Sequence, residues 1–146
     1  MAGTKRLPNL PCACATIRRA ARAVTRLYDD ELRACGLRAT QYAILQALER
    51  LSPVMQSRLG RVLGLDSTTL TRTLRPLEEQ GLIFSAAGDD RRERHLQLSP
   101  EGGRRLSMAR AHWETAEMRL RDAVGEDRWK ALPEVLDEVA LAADKA

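Results

Sequence analysis

Thr68, Thr71, Arg72 and Arg75 recur at spacings that line one side of a helix, opposite Leu70, Leu74 and Leu77. Short hydroxyls near a helix start, with two arginines behind them, suit reading of the DNA major groove. A guanidinium clamps guanine bidentately, while Ser67, Thr68, Thr69 and Thr71 offer hydroxyls to bases or phosphates. Farther on, Arg91, Arg92 and Arg94 follow the turn-forming stretch Gly88-Asp89-Asp90. Arginines at a hairpin tip fit a narrow minor groove, whose negative potential attracts them.

Other chemistry has little to draw on. The chain holds no Gly-x-Ser-x-Gly, no His-Glu-x-x-His and no phosphate-cradling Gly-rich loop ending in Lys-Ser/Thr. Its two histidines, His95 and His112, make a poor basis for acid–base catalysis, so no enzyme and no cofactor are expected. Of 24 basic residues only Lys5, Lys130 and Lys145 are lysine, and the net charge is +4. Arginine suits planar recognition of phosphates and base edges, although a GC-rich genome also favours it. The acidic runs at residues 29–31, 78–79 and 89–90 read as solvated faces. Three cysteines, an odd number, fit a reducing cytoplasm, and there is no long apolar run or export-signal pattern to suggest a membrane.

The elements that must position these residues follow from periodicity. Residues 1–11 carry Gly3, Pro8 and Pro11 and are expected as an irregular arm. Ile17, Ala21, Val24, Tyr28, Leu32 and Cys35 step by three and four, predicting a helix over 13–35 with one buried stripe, an Arg26–Asp30 pair and Gly36 at its end. Thr40 is the expected cap of a second helix that buries Ile44, Leu45 and Leu48. A third, near 55–63, precedes Gly64. Asp66 or Ser67 caps the fourth, which ends at Gly81 and carries Pro76, a residue that removes a helical amide and predicts a kink. Leu82-Ile83-Phe84 and His95-Leu96-Gln97-Leu98 read as the strands of a hairpin. Ser99-Pro100 starts a long helix with Leu106, Ala109, Trp113, Ala116, Leu120 and Val124 on one stripe. After Gly125, a last helix is expected to bend or restart at Pro133.

Thr69-Leu70-Thr71-Arg72, Leu77-Glu78-Glu79-Gln80-Gly81-Leu82-Ile83, Asp90-Arg91-Arg92, and Leu98-Ser99 followed by Gly102 resemble the MarR family in content and order. The resemblance implies a mostly helical winged helix-turn-helix with a small β-hairpin wing: residues 38–99 for DNA binding, and 12–37 with 100–146 as helical dimerisation regions. It implies a homodimeric bacterial repressor in the cytoplasm, with a double-stranded DNA operator and a small aromatic or carboxylated effector as partners. It also implies that Asp90 holds the wing arginine Arg92. Arg94 has no fixed counterpart. The effector pocket would border the first helix, with Arg18, Arg22, Tyr28, Tyr42, His112 and Trp113 as candidate contacts.

Cys12 and Cys14 form a Cys-x-Cys at the expected helix start, where unsatisfied amides favour a thiolate. The hydroperoxide-sensing branch of the family has a reactive cysteine here, and Cys14 and Tyr28 match its pattern. Arg18 and Ala39-Thr40 stand where that branch has further tyrosines. Incidental cysteines, a thiol-responsive repressor and a soft-metal-responsive one all remain open, though no closed metal site is evident. A different class, a helical protein-interaction module without specific DNA binding, is distinguished only by assay.

Overall fold

The computed structural model describes residues 6–90 and 92–144. The chain folds as α1 (Ala13–Leu32), a 3-10 turn (Arg33–Cys35), α2 (Ala39–Leu51), β1 (Val54–Met55), α3 (Gln56–Leu63) and α4 (Ser67–Glu79). The hairpin β2 (Ile83–Ala87) and β3 (Arg94–Leu98), then α5 (Pro100–Val124) and α6 (Glu126–Asp144), complete it. With so few aromatics, the core is built from leucine. Ile44, Leu45 and Leu48 of α2 pack with Leu70, Leu74 and Leu77 of α4, Leu59 of α3, Leu96 of β3 and Leu106 of α5, each essentially inaccessible.

Several local signals act as expected. Gly36 and Gly64 take left-handed backbone, with φ of 67° and 64°, and end their helical segments. Asp66 caps α4 by accepting from the Thr69 amide at 2.8 Å, and Ser99 caps α5 by accepting from the Gly102 amide at 2.9 Å. Neither interior proline ends its helix. α4 is continuous through Pro76, whose carbonyl accepts from the Gln80 amide at 3.0 Å, and α6 is one element through Pro133.

Other corrections have tertiary causes. The first helix stops at Leu32 and tightens into the 3-10 turn. Asp30 pairs with Arg33 at 2.7 Å, three residues on, instead of with Arg26. Thr40 does not cap α2. The Gln41 side chain accepts from the Arg38 amide at 3.0 Å and Asp29 of α1 accepts from the Ala39 amide at 2.7 Å, so α2 begins one residue before Thr40. The hairpin strands are longer than predicted, pairing antiparallel from Ile83↔Leu98 to Ala87↔Arg94. The two-residue β1 adds Val54↔Leu96 and Met55↔His95, giving the sheet order β1-β3-β2.

α5 is fastened across α1 and α2 by Tyr28 donating to Glu117, by Arg119–Glu31, and by Arg110–Glu49 at 3.2 Å. The apolar stripe of α1 is covered only toward its end: Leu32 is buried and Tyr28 and Cys35 are half-buried, but Ile17 is 41% exposed. α6 has no buried residue, and Val135, Leu136, Val139 and Leu141 are 42–60% exposed.

Candidate nucleic-acid interface

The side of α4 turned away from the core is the side that was expected to read DNA. Ser67, Thr68, Thr71, Arg72 and Arg75 are exposed, while Leu70, Leu74 and Leu77 are buried beneath them. The cap makes this helix start stiff. Asp66 accepts from both the amide and the hydroxyl of Thr69, each at 2.8 Å, and these bonds, the amide first, hold its carboxyl below the usual range. Thr69 is half-buried, and its hydroxyl donates its proton to the cap. The Arg75 side chain leans on Glu79 at 3.0 Å, an exposed pair. Such pairs contribute about 0–1 kcal/mol, so the guanidinium is easily drawn to a phosphate or base.

In the wing, Asp90 accepts from the Arg92 backbone amide at 3.0 Å, and its carbonyl accepts from the Glu93 amide at 2.9 Å. Asp90 therefore shapes the turn that presents Arg92 through the backbone; among the described residues it makes no contact with the Arg92 guanidinium. Arg91 lies outside the described residues. Arg94, expected beside them, is engaged within the protein. Its Nη2 donates to Glu78 of α4 at 2.6 Å and to Ser85 of β2 at 2.8 Å. It ties the loop end of β3 to the end of α4. His95 lies 3.7 Å from Glu93 at the same end of the hairpin. Between α3, the start of α4, the loop end of the wing and the end of α6 lies a cleft of about 800 Å³ with Ser57, Arg61, Ser67, Arg92 and Asp144 on its walls.

The proposed effector contacts are only partly brought together. Tyr42 stacks on Trp113, centroids 5.9 Å apart and planes at 17°. Tyr28 donates to Glu117, a partner the sequence reading missed. Burial raises both phenols' pKa values, and for Tyr28 the Glu117 carboxylate raises it further. These aromatics lie at the junction of α1, α2 and α5, where a pocket was expected. Arg18 and Arg22 are exposed on α1, and His112 is half-buried on α5. A second cleft, about 190 Å³, lies instead beside Asp29, Arg33 and Arg38.

Cys12 is the residue preceding α1 and Cys14 lies in its first turn, both exposed. Cys35, half-buried at the other end, directs its thiol to the Met108 carbonyl at 3.9 Å. A 20-residue helix spans about 30 Å, which separates the two ends. Among the described residues no group of three or more His, Cys, Asp or Glu is placed to hold a metal. No helix among them is long and apolar enough to cross a membrane.

A capped outward helix beside a braced two-stranded wing, following α3 and a tight glycine turn, defines a winged helix-turn-helix protein. The MarR family signature matches residues 37–93. Over 92% of this chain and 97% of its own, the Mycobacterium tuberculosis transcriptional regulator MosR, solved in complex with DNA, is 32% identical with a TM-score of 0.84. The chain belongs to the MarR family of non-enzymatic, winged-helix transcriptional regulators. The transcriptional repressor CouR, bound to a 23-mer DNA duplex, is 25% identical over 88% of this chain and 92% of its own, with a TM-score of 0.79. The Bacillus subtilis HTH-type regulator YwoH is 31% identical over 85 residues, covering 58% of this chain and 62% of that protein.

Proposed function

We propose that the protein is a bacterial transcriptional repressor that binds a pseudo-palindromic operator as a homodimer. The observation that carries this reading is the joint presentation of Thr68, Thr71, Arg72 and Arg75 on α4 and of Arg92 on the wing, which Arg94 links to α4. α4 enters the major groove and the wing tip reaches the adjacent minor groove. MosR and CouR, solved on DNA, support DNA binding by this chain. A second copy covers the exposed apolar residues of α1 and α6, which their own chain leaves open. Acting on the chromosome, such a repressor works in the cytoplasm. The test is binding to the DNA upstream of the protein's own gene across a salt series. Tight, sequence-dependent binding with a steep salt slope is expected; weak binding indifferent to sequence would instead support a protein-interaction module.

Release of the operator by a small aromatic or carboxylated molecule completes the proposal. With Tyr42 and Trp113 stacked, such a ligand must part the rings or enter elsewhere. A thermal-shift screen of aromatic acids, each hit retested for operator release, identifies it, since a ligand tolerated equally by both states shifts nothing.

A second reading is favoured by the exposure of Cys12 and Cys14 at the start of α1: a repressor released by thiol oxidation. Peroxide should then release operator from the parent protein but not from Cys14→Ser. Equal release from both would leave these thiols incidental.

A further inference from the structure

Four threonines inside the helices of this chain close their hydroxyls onto their own backbone. Thr16, Thr25, Thr73 and Thr115 each donate to the carbonyl four residues earlier, at 2.8–3.0 Å. Thr71, two residues before Thr73 and exposed on the outer side of α4, is an exception. Its Oγ1 accepts from Nε2 of Gln56, the first residue of α3, at 3.1 Å, and among the described residues its proton has no acceptor. A hydroxyl carries one proton and two lone pairs. With one lone pair held by α3 and no bond back to α4, the proton is left to point outward.

One end of the Gln56 carboxamide works against stability. Its Oε1 is buried and has no partner among the described residues, an arrangement that disfavours the folded state. Sealed from solvent, that oxygen does not reach DNA either. The remaining polar act of this carboxamide is to hold Thr71.

We propose that Gln56 is a positioning residue for sequence specificity: it holds the Thr71 hydroxyl off its own helix and presents it as a hydrogen-bond donor to a base edge. The inference rests on α4 reading the major groove, as proposed above. There, guanine offers N7 and O6, adenine N7 and thymine O4 as acceptors, whereas cytosine offers only an amino donor. At one base pair in each half-site the protein should therefore prefer an acceptor-bearing base over cytosine on the strand facing Thr71. A single hydrogen bond corresponds to about a 2- to 10-fold preference.

The experiment measures relative affinities across an operator set with every half-site base pair substituted, for the parent, Gln56→Leu, Gln56→Glu, Thr71→Val and the double variant Gln56→Leu/Thr71→Val. Circular dichroism and melting confirm folding. Thr71→Val should abolish the preference at one base pair, which identifies the position. Gln56→Leu should flatten the preference there and nowhere else, with no additional effect in the double variant. Gln56→Glu can only accept, so it turns the Thr71 proton inward and leaves lone pairs facing the DNA. It should shift the preference at that position toward a base presenting an amino group, while its charge weakens all sequences evenly. Folded Gln56 variants that retain the parent's base preference, or that lose affinity uniformly with the preference intact, would overturn the inference alone. A parent protein without any sequence preference would overturn the regulator reading and this inference with it.

Discussion

Gly102 and Gly103 stand side by side in the first turns of α5, yet alanine should act in opposite directions at the two. Alanine in place of a helical glycine stabilises by about 0.5–1 kcal/mol through the smaller entropy loss. At Gly103 nothing opposes that gain, because a Cβ there would meet no atom closer than Leu98 Cδ2 at 4.0 Å. At Gly102 a Cβ would lie 2.0 Å from the Leu82 carbonyl oxygen and 2.8 Å from Leu98 Cδ1. The oxygen belongs to backbone that also accepts from the Ser99 amide at 3.1 Å, so α5 and the start of the wing must separate. Restoring a normal contact needs a shift of about 1 Å, and overpacking of this kind costs about 1–3 kcal/mol or somewhat more. After subtracting the helix gain, Gly102→Ala should lose about 1–2 kcal/mol and melt several degrees below the parent. Gly103→Ala should melt slightly above it. Both are read by thermal denaturation at one fixed protein concentration, since a dimer's melting point depends on it. A Gly102→Ala protein as stable as Gly103→Ala would refute the claim that α5 is packed directly on the wing's backbone.

Further outcomes follow from the interface. Arg72→Ala or Arg75→Ala should relax base preference and cost about 1–3 kcal/mol of operator binding where the arginine clamps guanine, as read by competition with substituted operators. Arg92→Ala should lower affinity on all sequences more evenly and reduce the salt slope. Asp90→Ala should partly reproduce it, because the turn that presents Arg92 loses its side-chain acceptor; parental affinity in Asp90→Ala would discard that role. Asp66→Ala should melt below the parent near neutral pH. The folded-state pKa of Asp66 is lowered, so its contribution is present above the unfolded carboxyl's pKa and disappears as pH falls through the folded one; melting curves across acid pH should converge.

What could be read from the sequence is mostly what is decided locally. The Asp66 and Ser99 caps, the glycines ending helical segments and the leucine stripe of α4 each depend on residues within a turn or two. Thr40 fails as a cap because the competing acceptor, Asp29, comes from the preceding helix, ten residues away. β1 was missed because two residues carry no periodicity, and its pairing with β3 is set by a distant strand. The donor–acceptor partnership of Arg94 with Glu78 spans 16 residues and that of Tyr28 with Glu117 spans 89, so composition and spacing are blind to both. Spacing placed Arg94 among the wing arginines, but not its guanidinium on α4. The α1 and α6 stripes were legible as amphipathic patterns, and their exposure here follows because a pattern names a face without naming what covers it.

The central claim is that two copies present their α4 helices to successive major grooves of one operator. Hydroxyl-radical footprinting of the bound DNA tests it most directly. The predicted result is a symmetric pattern centred on a pseudo-dyad, with the two half-sites about 10 base pairs apart, flanked by minor-groove protection that Arg92→Ala removes. A single protected patch without symmetry, or protection spread evenly along the duplex, would contradict it.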